Sequence, residues 1–324
     1  MARIGVPAMV EGEKNLQVLV DGNNLAWQAF HALPELSADR VRTEVIFGFL
    51  YRIFAMAKFL RTKRFLFFWD STLSKGKRKG VYPEYKESRE EPTFEKKMCM
   101  EQIVRLRGEV IPAMGFRNSF RKEGYEADDL IAYAHFRLVK RKIICSEDGD
   151  FQQLLGDETV IYRPRKKRFM TSGDWSVKYQ GLHPRWMAEI KAIAGCKGDD
   201  VPGIEMVGEV LAAKYLVGRL NAGKTLEKIT SKEGQALIKR NRELVCLPFG
   251  VSIYRYSGWD AYDDIKLSED ETTKRKFIRV FEKYRFMHFL KRSNLDGIFK
   301  IFFPERRVKV QRPTFKRRIK ISKG

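Results

Sequence analysis

The chain reads as an α/β protein with a mostly parallel central sheet flanked by helices, followed by a helical region. Three observations carry this reading. Short apolar runs alternate with segments of helical period as far as residue 182 or so. Several of those runs end on, or just before, a carboxylate. Beyond Leu182 the strand-like runs stop and the pattern is helical throughout. Strands that alternate with helices build parallel sheets covered on both faces, and such sheets bind ligands beyond the carboxyl ends of their strands.

Residues 16–20 form the first apolar run, and a helix is expected over 23–31. The spacing of Val45, Phe49, Ile53, Phe54 and Ala57 predicts a helix over 43–60. A second buried strand is expected over 64–69. From 71 to 93 the apolar pattern lapses: Lys75, Lys77, Arg78, Lys79, Lys86 and Arg89 mix with Glu84, Glu87, Glu90 and Glu91. This composition suits a mobile surface loop or a segment that orders on a ligand. Helix returns over 94–114, a short strand over 116–120, a helix over 126–138 and a strand over 142–145. A short helix over 151–155 and a hairpin (160–162 with 168–171, across basic residues 163–167) close the first domain, 1–182. Helices over 184–195, 207–219, 233–245 and 272–285 predict a second domain, 183–303. The tail, 304–324, carries nine Lys/Arg against one Glu.

Composition narrows the function. Lys and Arg number 63 against 41 Asp and Glu, a formal net charge of +22. So one-sided an excess points to a polyanion, because each phosphate neutralised releases counterions. A nucleic acid fits better than an anionic membrane surface, since no basic amphipathic helix stands out. No apolar run reaches bilayer-spanning length, residues 1–15 lack a signal-peptide core, and the four cysteines form no C-x-x-C pair. A reduced, cytoplasmic setting is expected. Walker, Rossmann and Gly-x-Ser-x-Gly patterns are absent, and His31, His135, His183 and His288 have no ligand spacing.

Within this basic chain seven carboxylates stand out: Asp21, Asp70, Glu126, Asp128, Asp129, Asp148 and Asp150. Asp21 could equally cap the helix after it, and Asp70 could equally form a turn. Glu126-Ala127-Asp128-Asp129 is more telling, because three acids in four positions repel one another unless a cation or a helix N-terminus offsets them. Gly149 permits a sharp turn between Asp148 and Asp150. With all seven at one sheet edge, two Mg²⁺ ions (or Mn²⁺) are the simplest account, and such a pair activates water and aligns a phosphodiester. Residues 198–208 carry glycines around an apolar hairpin that opens a helix, either a phosphate-binding turn or a plain capped turn.

Taken in order, Leu19-Val20-Asp21-Gly22-Asn23-Asn24, Phe68-Trp69-Asp70, Tyr82-Pro83-Glu84-Tyr85-Lys86-Glu87-Ser88-Arg89, Gly124-Tyr125-Glu126-Ala127-Asp128-Asp129 and Asp148-Gly149-Asp150 resemble the motifs of the flap endonuclease/5′→3′ exonuclease superfamily. Residues 198–208 resemble its helix–three-turn–helix, and the likeness covers about 16–220. It implies a PIN-like nuclease domain with a helical arch at about 71–115, and a duplex-binding helical domain. The seven acids and Asp199 would carry the metals, and Lys86 and Arg89 would contact the scissile phosphate. Arg78, Lys79, Gly203, Gly208 and Lys214 would join them in DNA binding, with K⁺ held by loop carbonyls between Gly203 and Gly208.

The implied activity is Mg²⁺-dependent 5′→3′ exonuclease and flap endonuclease cleavage that removes RNA primers and 5′ flaps in DNA replication. The implied partners are branched or 5′-ended DNA and RNA/DNA duplex. A monomer with a replication-protein partner, in a bacterial or phage-infected cytoplasm, is expected, with no polymerase domain in the remaining length. One position departs from the family pattern. Its Gly-Asp-x-x-Asp arrangement here reads Gly195-Cys196-Lys197-Gly198-Asp199. Cysteine is a poor Mg²⁺ ligand, so the second metal site is expected to be weak. A junction-binding protein without turnover and an RNA-cleaving relative are the alternatives.

Overall fold

The computed structural model describes residues 7, 15–88, 91–138, 140–220, 222–250 and 265–304. Arg89 and the basic tail from 305 onward lie outside these residues. The sheet is built around β1 (Gln17–Asp21), whose residues are all buried. A small separate hairpin, β2 (Ser37–Ala38) with β3 (Val41–Arg42), follows it. The remaining sheet strands are β4 (Phe65–Phe68), β5 (Ser119–Phe120), β6 (Lys142–Cys145), β7 (Thr159–Arg163) and β8 (Arg168–Met170), in the spatial order β5-β4-β1-β6-β7-β8. Every pairing is parallel except β7 with β8, the expected hairpin. Val20 lies level with Phe67 on one side and Cys145 on the other, so β1, β4 and β6 end at one edge.

Successive residues of a strand face opposite sides, and both sides here are apolar. Val18, Val20, Phe65, Phe67, Trp69 and Ile143 face one core, with the helices Gly22–Ala32, Glu44–Leu60 and Phe94–Arg105. Leu19, Leu66, Phe68, Ile144 and Ile161 face the other, with the helix Ala127–Arg137. Among the described residues of 183–303, the large buried apolar side chains are shared between these same two cores. The helices Met187–Ala194, Glu209–Leu216 and Lys232–Val245 pack into the second core through Ile190, Ala212 and Ile238. The helices Lys274–Lys283 and Arg292–Phe302 cross to the first, where Phe277, Phe281 and Phe302 meet Phe54. Burying an aromatic ring of this kind stabilises by about 1.5–3 kcal/mol, which fixes the C-terminal helices to the sheet.

Several expected elements differ in extent. The strand expected over 116–120 shrinks to Ser119–Phe120 because Gly115, at φ +90°, turns the chain against the backbone of Glu271, while the Asn118 amide donates to the Ser268 carbonyl at 2.8 Å. The 151–155 helix is a 3-10 turn over Asp150–Leu154. The described part of the 71–93 stretch, 71–88 and 91–93, contains the helix Gly76–Val81 and buries Arg78, Tyr85 and Lys86. Not all of 71–115 stands clear as an arch, since Phe94–Arg105 packs through Cys99 and Ile103 into the first core.

Beside the sheet edge lies a short antiparallel ribbon, β9 (Gly195–Cys196) with β10 (Val201–Pro202). The Asn241 amide clamps it, donating to the carbonyls of Ala192 (3.0 Å) and Pro202 (2.7 Å). Gly203 follows directly, and a Cβ there would lie 2.1 Å from the Ala194 carbonyl carbon. Glycine is needed at this position for backbone contact within the protein. Gly208, the N-cap of Glu209–Leu216, is exposed and would place a Cβ in open space. Gly203→Ala should therefore destabilise the fold by roughly 3 kcal/mol or more, and Gly208→Ala by about 1 kcal/mol or less. Urea unfolding followed by far-UV circular dichroism measures both, and equal losses would refute this account of Gly203.

Candidate active site

At the shared end of β1, β4 and β6 the chain turns out of the sheet on polar side chains. Asp21 caps the helix Gly22–Ala32: its Oδ1 accepts from the Asn24 N–H (3.0 Å) and its Oδ2 from the Ser146 hydroxyl (2.9 Å). Asp70, just past β4, accepts from the Ala127 N–H at 2.8 Å, which ties it to the helix that carries Asp128. Beyond β6, the Asp148 N–H donates to Ser146 Oγ (3.0 Å), and Asp148 Oδ1 accepts from the Asp150 N–H (2.8 Å). Asn23 and Asn24 lace the three strand ends together. Their side-chain oxygens accept from the N–H groups of Asp70 and Glu147, each at 3.1 Å.

The electrostatics show how closely these acids crowd. Burial pushes the Asp21 carboxyl up to about 7, reinforced by the charges of Asp70 and Asp148 and opposed by its bonds from Asn24 and Ser146. Asp128 is held well above the ordinary carboxylate range, first by burial and then by Asp148, Asp21, Glu126 and Asp70. Asp21, Asp70, Glu126, Asp128 and Asp148 thus form one repelling group of hard oxygen donors, the donor set that a divalent cation of the Mg²⁺ or Mn²⁺ kind takes.

Three of the expected ligands, Asp129, Asp150 and Asp199, lie elsewhere. Asp129 is fully buried and accepts two 2.8 Å bonds from Arg78, one at each oxygen, with further bonds from the N–H groups of Phe249 (2.8 Å) and Glu126 (3.2 Å). Burial alone would raise its carboxyl, but Arg78 and these donors hold it below the usual range. Arg78, expected at DNA, is 3% exposed and also donates to the Leu244 carbonyl at 3.1 Å. This pair fastens the Gly76–Val81 helix to the core and leaves neither group facing substrate.

Lys86 is buried too, with its ammonium 2.6 Å from Glu126 Oε1 and 3.5 Å from Asp199 Oδ1. A phosphate would reach it by displacing Glu126. Asp150, next to Asp148, belongs to a second group, in which ligand atoms of Asp150, Cys196 and Asp199 lie within 4.8 Å of one another. The Lys191 ammonium, from the helix Met187–Ala194, contacts the Asp150 carboxylate there. Burial raises the Cys196 thiol to about 11, against the lowering effect of Lys191. Lys79 and Lys214 are exposed on their helices. The sequence pattern missed Ser146 and Lys191. Ser146 stands two residues before Asp148, directly after the apolar run of β6, whereas Lys191 sits in an ordinary helical stretch with no local signal.

The profile described as 5′-3′ exonuclease, N-terminal resolvase-like domain, matches residues 16–180. DNA polymerase I of Bacillus subtilis is 33% identical over 242 residues, which are 71% of this chain and 26% of that protein. The 5′-3′ exonuclease of Aquifex aeolicus is 31% identical over 210 residues, 63% of this chain and 69% of that one. This chain therefore spans about a quarter of the polymerase. Among solved structures, bacteriophage T5 5′-exonuclease with zinc bound superposes with a TM-score of 0.55 at 24% identity, covering 72% of this chain and 90% of that one. Flap endonuclease-1 from Methanococcus jannaschii gives 0.54 at 15% identity, covering 90% and 93%. At these identities the structures show a common fold.

Two outcomes test this geometry. Arg78→Ala leaves Asp129 buried without its cation and should cost about 3–5 kcal/mol of stability, read by chemical denaturation; a loss below about 1 kcal/mol would contradict the buried pairing. For Asp21, an ordinary carboxyl in the unfolded chain but one at about 7 when folded, the folded state holds the extra proton between pH 4 and 7. Stability therefore falls as pH rises through that window, and the full cost is present above it. Without metal, Asp21→Asn should melt higher than wild type at pH 8, by roughly 2–4 kcal/mol of stability, and show little gain at pH 4.

Proposed function

The chain belongs to the 5′-3′ exonuclease, N-terminal resolvase-like domain family, and on that premise we propose that it is a metal-dependent, structure-specific 5′ nuclease. Its substrates would be 5′ flaps, other branched or 5′-ended DNA, and RNA/DNA duplex, cleaved by phosphodiester hydrolysis. One observation carries the proposal: the convergence of Asp21, Asp70, Glu126, Asp128 and Asp148 at the carboxyl ends of adjacent parallel strands.

These five residues would hold divalent metal, Mg²⁺ with Mn²⁺ as a substitute. When bound, such ions lower the pKa of water and neutralise phosphate charge. The residues themselves orient and hold. Ser146 and Asn24 fix both oxygens of Asp21, and the Ala127 N–H fixes one oxygen of Asp70, so the donors are placed before substrate arrives. Lys86 lies against the cluster, where a phosphate that displaced Glu126 would gain its charge. Lys79 and Lys214 suit backbone phosphates further out, and the net charge of +22 steers a polyanion toward the protein. K⁺ on loop carbonyls between Gly203 and Gly208 belongs to the same reading. So do a monomeric state, a cytoplasmic setting, a replication-protein partner, and a role in clearing RNA primers and 5′ flaps.

The buried ion pairs at Lys86 and Lys191 favour a second reading, a junction-binding protein without turnover. A labelled 5′-flap duplex incubated with the protein and Mg²⁺ separates the two. Cleavage near the junction is expected, with Asp21→Asn losing at least about a thousandfold in rate while still shifting the flap in a gel. Binding without cleavage in Mg²⁺ and Mn²⁺ alike establishes the second reading, and cleavage confined to RNA would assign an RNA-cleaving relative.

A further inference from the structure

The second group of ligand-type residues is built unlike the first. Around Asp21 and Asp128 the neighbouring charges that shift them are all carboxylates. Around Asp150, Cys196 and Asp199 two ammonium groups are already in place. Lys191 reaches in from the helix Met187–Ala194, 8% exposed, and contacts the Asp150 carboxylate. Lys86 lies 3.5 Å from Asp199 while it holds Glu126 at 2.6 Å. The third member is a thiol, Cys196, whose Sγ lies 3.5 Å from Asp199 Oδ2.

We propose that the Lys191 ammonium stands where a second divalent ion would otherwise sit, so that this chain holds one divalent ion and supplies the other positive charge from its own helix. This deepens the nuclease reading and rests on it. Divalent affinity follows the number of anionic oxygens a site offers. Here two carboxylates face a resident ammonium and the flank of another, and the third ligand is sulfur, which hard cations such as Mg²⁺ bind poorly. A buried ammonium is favoured by a carboxylate beside it and strongly disfavoured when left without one. An ion entering the second group would have to expel Lys191 from Asp150 and leave it buried beside new positive charge.

The position of Lys191 is set by the fold. Its helix packs against Lys232–Val245 through Ile190, Ala192 and Ile238. The Arg242 guanidinium bonds to Glu189 on the same helix, at 2.9 Å for Nη2 to Oε2. The chain then passes from Ala194 directly into β9, which carries Cys196. Lys191 and Cys196 are therefore held by one continuous segment, and the group they share with Asp150 closes when the Asp150–Leu154 turn packs on that helix.

The test counts ions in the free, full-length protein. Mn²⁺ titrated by isothermal calorimetry, with free Mn²⁺ followed by electron paramagnetic resonance, should give one site in the wild type. Cys196→Asp, which restores a carboxylate but keeps the lysine, should still give one. Lys191→Met combined with Cys196→Asp should give two, with spin coupling between neighbouring ions. Two sites in the wild type, a second site in Cys196→Asp alone, or a folded double variant that stays at one would each overturn the proposal. Should the Met variant fail to fold by circular dichroism, Lys191→Gln with Cys196→Asp takes its place under the same criteria. Binding of no Mn²⁺ at all would instead count against the metal-dependent nuclease reading, so the two failures are distinct.

Discussion

Parallel pairing of β1 with β4 on one side and β6 on the other brings Asp21, Asp70 and Asp148 to a single edge, and that edge dictates much of what surrounds it. Parallel strands share a direction, so residues that follow equivalent ladder positions emerge side by side. Each strand here is apolar on both faces; Asp21 ends β1, while Asp70 and Asp148 follow β4 and β6 just past the last residues that the two cores take. The acids are thereby forced into a small, partly dry space where like charges interact strongly. Their backbone and hydroxyl donors supply part of the compensation, and a cation held there would supply the rest.

The same crowding separates functional from structural acids. Asp128 and Asp129 are neighbours in sequence, but successive residues on a helix point about 100° apart. Asp128 therefore turns toward Asp148 and Asp21, while Asp129 turns inward to Arg78, and the two carboxyls shift in opposite directions. The sequence showed three acids in four positions, enough to locate the helix start. It could not show which of them faced the edge, because Arg78 lies 51 residues away in a segment that looked like a solvated charge run.

Legibility followed burial. The strands could be read because a run apolar on both faces has few other uses, and 142–145 was placed at its observed bounds. The helices after 182 were legible as helices, since amphipathic period is local. Their destinations were not, because a period says that a face is apolar without naming the surface it meets. Phe277 and Phe281 could have packed within a separate domain, yet they meet Phe54 from a helix more than 200 residues earlier. Gly203 shows the same limit: a glycine at a close backbone contact inside the protein looks the same in sequence as one at a phosphate, and the sequence leaves both readings open.

The contact between 84–88 and the 197–200 turn shows how far the site and the fold are one construction. Lys86 adopts φ +54° and Asp200 φ +56°, left-handed conformations that cost a non-glycine residue about 1–2 kcal/mol each. Both persist because they face one another across a set of bonds. The Lys86 N–H donates to the Asp199 carbonyl at 2.9 Å, and the Ser88 N–H and hydroxyl donate to the Asp200 carboxylate at 2.8 and 2.7 Å. With Lys86 Nζ on Glu126, these bonds link the first acid cluster to the ribbon that carries Cys196 and Asp199. The two clusters are thus joined through one short segment whose left-handed residues are held in place by bonds at both ends.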